Sequence, residues 1–85
     1  MSTVKSPRTS TMSAVCDEYR RGLEVFRPFI SAHEAYGVLK EEVDEFWDEV
    51  KRNTASIDYA SMIKELIQIA AVAIRTIDQI KEKSI

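Results

Sequence analysis

The sequence predicts an all-α chain of three helices that needs something outside itself to complete its core. Three observations carry this expectation. Gly and Pro occur only twice each in 85 residues, too few to punctuate a turn-rich β domain. Hydrophobic residues make up 45% and charged residues 31%, which sets the chain apart from disordered and fibrous sequences. Apolar residues recur at helical spacing in three separate stretches. A single domain of this size buries a modest share of its surface and is marginal alone.

Residues 1–12 are rich in Ser, Thr and Pro without periodicity and read as a flexible N-terminal tail, leaving 13–85 as the helical domain. The first helix is expected from Ser13, its cap, to Phe26 or Arg27. Asp17 and Glu18 sit near its first turn, and Val15, Tyr19, Leu23 and Phe26 mark its apolar face. Pro28 stops it, because the residue before a proline is pushed out of the helical region.

The second helix starts on a capping box, Ser31 to Glu34, in which hydroxyl and carboxylate each satisfy a backbone amide. Tyr36, Leu39, Val43, Phe46, Trp47 and Val50 draw one stripe along it, and it ends near Arg52 or Asn53. Residues 53–57 form a polar loop, with Ser56 and Asp58 as cap candidates. The third helix runs from about Asp58 to Lys81 or beyond. Its apolar set, from Tyr59 and Met62 to Ile77 and Ile80, covers too much of its circumference for one packing seam. Two partner helices cover part of that surface, and a second subunit is expected to cover the rest.

Several function classes drop out. The longest apolar run, Ile69 to Ile74, is far short of the roughly 18 to 20 residues of a membrane helix. The first twelve residues hold no apolar segment of a secretory signal, so a cytoplasmic protein is expected. A net charge of −2 argues against nucleic-acid binding. Cys16 is the sole cysteine, which excludes an internal disulfide and a cysteine-based zinc cluster; it reads as an inert, buried thiol. His33 reads as structural, and no glycine-rich phosphate cradle is present. Gly37, mid-helix at a cost of about 1 kcal/mol relative to Ala, marks either a close approach or a tolerated substitution.

The charge is unevenly placed. Residues 31–58 hold eight acids and three bases, a local balance of −5. At about 100° per residue, Glu42 lies to one side of the second helix's stripe. Glu45 and Glu49 follow on that flank, while Asp44 and Asp48 fall on the opposite, solvated one. Glu42 and Glu45 are neighbours at i,i+3. On the third helix Glu65 and Gln68 lie at the border of the apolar stripe. Helices that pack through their stripes bring border residues together, so Glu42 and Glu45 are expected to meet Glu65 and Gln68. An all-oxygen set on rigid elements suits a hard cation, Mg²⁺ or Mn²⁺; a plain solvated helix face is the other reading.

The stretch HEAYGVLKEEVDEFWDEVK (His33 to Lys51), followed by KELIQIAAVAIRTI (Lys64 to Ile77), resembles the MazG-like nucleotide pyrophosphohydrolases, which are all-α NTP pyrophosphatases. Their signature is Glu-Glu-x-x-Glu, a gap, then Glu-x-x-Asp. Glu41, Glu42 and Glu45 supply the first half. Glu65 opens the second half, and Gln68 stands where the pattern has Asp. The resemblance spans about residues 13 to 80. It implies a helical bundle completed as a homodimer or homotetramer. It also implies Mg²⁺-dependent hydrolysis of a (d)NTP between the α- and β-phosphates, giving the monophosphate and pyrophosphate. Glu42, Glu45, Glu65 and Gln68 match metal-ligand positions, and Glu41 matches the acid that orients or activates water. Arg75, Lys64 and Lys40 are candidate cations for the substrate's phosphates. The Gln68 departure keeps a second expectation open: a catalytically weak or inactive helical dimer that binds a nucleotide or a protein.

Overall fold

The computed structural model describes residues 5–52 and 58–85. Three helices account for most of them: α1 (Thr9–Val25), α2 (Ala32–Lys51) and α3 (Tyr59–Lys81). No strand occurs among the described residues, and no helix among them is long and apolar enough to cross a membrane.

Helix α1 begins four residues before Ser13. Its N-cap is Arg8, which makes no side-chain cap bond; the Met12 amide bonds the Arg8 carbonyl at 3.0 Å. Pro7 immediately precedes that cap. The added turn runs beside α3, where Ser10 and Thr11 share a groove with Ile63, Leu66 and Ile67. Asp17 and Glu18 therefore stand mid-helix, not in the first turn, and pair at i,i+3 with Arg20 and Arg21. Phe26 ends α1 with an extended backbone, two residues ahead of Pro28.

Helix α2 starts as expected on Ser31, whose hydroxyl accepts from the Glu34 amide at 3.1 Å. The box closes differently. The Glu34 carboxylate accepts from the Ile30 amide at 3.1 Å and holds Arg27 through two 2.8 Å bonds. These donors pull its pKa down to about 2, Arg27 first. Asp58 caps α3, accepting from the Ser61 amide at 3.0 Å. The other cap candidate, Ser56, and the 53–57 loop lie outside the described residues. A Schellman turn closes α3: the Lys83 amide bonds the Ile80 carbonyl, and the Ser84 amide the Gln79 carbonyl, with Lys83 at φ 57°.

Both α1 and α2 pack on α3, and among the described residues they do not pack on each other. Helix α1 runs with α3: its start faces Ile63 to Ala70, and Tyr19 farther along donates to Asp78 at 2.8 Å. Helix α2 runs against α3, with Glu42 and Glu45 beside Glu65, and Phe29, just ahead of α2, beside Gln79. The result is a shallow V of 44 × 41 × 23 Å.

The core is thin. Val15, Phe29, Ala35 and Ala71 are its buried apolar residues, and no large side chain is fully buried among the described residues. The stripe expected on α2 is rotated: Ala35 and the Glu42 flank turn inward, while Tyr36, Val43 and Trp47 stay exposed. Cys16 is exposed, correcting the buried-thiol reading, because it sits one residue (about 100°) around α1 from buried Val15. Gly37 has nothing within 4 Å of where a Cβ would stand, so no close approach explains it.

The linker between α1 and α2 is pinned by one side chain. Gln79 accepts from the Phe29 amide at 2.9 Å and donates to the Phe29 carbonyl at 3.1 Å. Both residues are buried, so this paired bond takes the place of water for the linker backbone.

Candidate metal centre and cleft

The arms of the V enclose a cleft of about 570 Å³. Its floor is one face of α3, Gln68, Ala71, Val72 and Arg75, spaced i, i+3, i+4 and i+7. Helix α1 contributes Glu18, Tyr19, Arg21 and Gly22 to one wall. Helix α2 contributes Glu34, Val38, Glu41, Glu42 and Glu45 to the other.

One end of the cleft is acidic. Carboxylate oxygens of Glu42, Glu45 and Glu65 all lie within 4.8 Å of one another. Glu42 and Glu65 are partly buried at the α2–α3 junction, and Glu45 is exposed at its rim. Burial pushes the Glu42 pKa up to about 7, with the Glu45 and Glu65 charges adding to the shift. The Glu65 pKa is raised as well, again by burial first and then by Glu45. Glu41 lines the cleft next to this group and is exposed.

Gln68 lies across the cluster. With its amide nitrogen toward the carboxylates it donates to Glu42 at 2.8 Å and to Glu65 at 3.1 Å. A half-turn of the amide offers its oxygen instead, adding a neutral ligand to three charged ones. The donor set is therefore all oxygen, as Mg²⁺ or Mn²⁺ prefers, with no sulfur or imidazole.

The other expected residues divide. Arg75 is on the cleft floor, while Lys40 and Lys64 do not line the cleft. Lys40 pairs with Asp44 at 3.1 Å on the outer face of α2, and Lys64 is exposed on α3. Asp48 pairs with Lys51 on the same solvated side as Asp44.

Comparison with family models, curated proteins and solved structures finds no match to this chain. The geometry of the cleft alone bears on its chemistry.

The cleft's second end is cationic and aromatic; helical spacing marks Phe26 there, but not Phe29 or its partner Gln79. The Arg75 guanidinium lies over the Phe29 ring at 4.2 Å from its centroid and near Phe26 at 5.6 Å. Such stacking is worth about 0.5–2 kcal/mol, more as the pair is desolvated. Arg21 and Arg27 stand at the same end, matched by Glu18 and Glu34. Phe29 and Gln79 lie outside the helical stripes used to read the sequence. The available hint was Pro28, which forces a bend between two phenylalanines.

Proposed function

We propose that the chain is a metal-dependent nucleoside triphosphate pyrophosphohydrolase of the MazG-like type. The observation that carries the reading is the convergence of Glu42, Glu45 and Glu65 from two helices onto one point at the end of a cleft. Three carboxylates held together repel one another, as the raised pKa values of Glu42 and Glu65 reflect, and a divalent cation relieves that repulsion. Glu42, Glu45 and Glu65 would hold Mg²⁺ or Mn²⁺, with the Gln68 oxygen as a fourth ligand. The bound ion would neutralise phosphate charge and lower the pKa of water, which an acidic protein cannot do unaided. Glu41, exposed in the cleft wall, takes the role of proton acceptor from the attacking water. The cleft's volume of about 570 Å³ leaves room for a nucleoside beside the floor of α3.

The test is pyrophosphate release from a panel of (d)NTPs with Mg²⁺ or Mn²⁺ at high protein concentration. Release from at least one member is expected. Silence from every member removes the hydrolase reading, and metal-dependent nucleotide binding without turnover would leave a binding module.

Gln68 provides a sharper check on the site. Gln68→Glu removes the donor that bridges Glu42 and Glu65 and adds a fourth negative charge. Without metal, the melting temperature is expected to fall by about 4–8 °C, the equivalent of about 1 kcal/mol in a domain of this size. Stabilisation by added Mg²⁺ is expected to exceed that of the wild type. If both melting curves match the wild type, Gln68 is not part of the cluster.

A homodimer or homotetramer belongs to the same proposal. Tyr59, Ile63, Leu66, Ala70, Ala73, Ile77 and Ile80 alternate at spacings of four and three along α3, on the side away from the cleft floor. Ile63, Leu66, Ile77 and Ile80 in this row are 46–56% exposed. The start of α1 borders Ile63 to Ala70 but leaves Ile63 and Leu66 about half exposed, and Ile77 and Ile80 lie beyond it; a second copy would cover what α1 leaves open. A stable, folded monomer at micromolar concentration in sedimentation would overturn the assembly.

A further inference from the structure

We infer that Arg75 is the seat of a metal-independent oxyanion site, taking a phosphate group at the end of the cleft away from the carboxylates. The cation is more than nine-tenths buried, with 8% of its surface exposed. It has no carboxylate partner among the described residues; its one hydrogen bond runs from a terminal nitrogen to the Gly22 carbonyl at 3.5 Å. Arg21 and Arg27, at the same end, are each neutralised by their own glutamate at close range. Arg75 is therefore the unmatched charge of that end.

Buried charges are ordinarily paired, and an unpaired one is held at a cost that a ligand can remove. Burial pulls the Arg75 pKa downward, the sign of that cost. The remaining N–H groups are not sealed in. No buried side-chain nitrogen or oxygen lacks a partner among the described residues, so the nitrogens of Arg75 without a hydrogen bond reach the cleft surface. Phe29 and Phe26 fix the plane of the guanidinium, which leaves its edge to receive a ligand. Two parallel N–H groups on one edge match two oxygens of a phosphate. The seat is also far enough from the acidic end to accept an anion. Arg75 is seven residues beyond Gln68 on the same face of α3, about 10.5 Å along the axis, two helical turns from the nearest α3 residue of the acidic cluster.

This inference stands on the cation's surroundings and not on hydrolysis, so it fails or survives separately from the pyrophosphohydrolase reading. The experiment is a titration of the full chain with inorganic phosphate in metal-stripped buffer, followed by nitrogen–proton NMR. A saturable shift of the Arg75 side-chain Nε–H signal is expected, with smaller shifts at Gly22 and Phe26. Arg75→Met is expected to weaken phosphate binding at least 10-fold, and Arg75→Lys to recover only part of it, because an ammonium neither stacks nor forks. An Arg75 signal that does not move overturns the seat. So does binding that moves other residues only, or binding of equal strength in Arg75→Met. The wild-type spectrum decides the matter even if the variant fails to fold.

Discussion

Glu42→Gln is expected to reduce pyrophosphate release by about 100-fold or more and to weaken Mg²⁺ binding in parallel. The side chain stands at the centre of the acidic end, within reach of Glu45, Glu65 and Gln68. Its replacement keeps the shape and removes the charge that a cation needs. Calorimetric titration with Mg²⁺ and a pyrophosphate assay on the same preparation check both effects. Full activity in the variant would show that the carboxylates are not the metal site.

The raised pKa of Glu42, about 7, adds a pH signature. Metal binding requires the charged form, so Mg²⁺ affinity falls by about tenfold as pH drops from 8 to 6. Stability without metal moves the other way. The folded-state pKa lies above the ordinary 4.5, so the proton is bound more tightly in the folded chain. The stabilisation this gives is complete below about pH 4.5 and is lost as pH rises through about 7. Glu34 has the opposite sign, with its pKa held at about 2 by Arg27 and the Ile30 amide. Its contribution is present above 4.5 and lost on acidification towards 2. Thermal melts in metal-free buffer are therefore expected to show a rise in stability between pH 8 and 5 that shrinks in Glu42→Gln, the share owed to the raised Glu65 remaining.

Gln79→Ala is expected to destabilise the fold by about 2–4 kcal/mol. The substitution leaves the buried Phe29 amide and carbonyl without partners, and each unpaired buried group costs about 1–3 kcal/mol. Total stabilities of small domains are about 5–15 kcal/mol, so the loss is a large fraction of what holds the chain together. Urea unfolding at unchanged m-value measures it. A loss below about 0.5 kcal/mol would mean that water replaces the side chain and that the linker is not held by it. The effect reaches the cleft as well, because Phe29 carries the ring on which Arg75 rests.

These effects show which parts of the protein the sequence discloses. The starts of α2 and α3 were legible because Ser31 and Asp58 are side chains that cap through their own oxygens. The start of α1 was not, because Arg8 makes no side-chain cap bond and leaves no residue type to read. Glu42, Glu45 and Glu65 were legible because position around a helix follows from counting residues. The inward turn of the Glu42 flank, at the expense of Tyr36, Val43 and Trp47, was not. It depends on where α3 presses, and small Ala35 permits the close contact that larger neighbours would prevent. Gln79 and Phe29 are fifty residues apart and belong to no periodic pattern. Their meeting is a property of the folded linker. Arg75 was legible as a candidate cation, but its burial and its two aromatic neighbours were not.

That α1 and α2 each rest on α3, and not on one another, separates two properties of the cleft. The carboxylates belong to α2 and α3 alone. The breadth of the opening belongs to α1, through Tyr19, Gly22 and the residues around them. Substitutions along α1 can therefore resize the space available to a ligand while the acidic end keeps its geometry. The width of the cleft and the charge at its end are thus free to drift independently, because they are written on different helices.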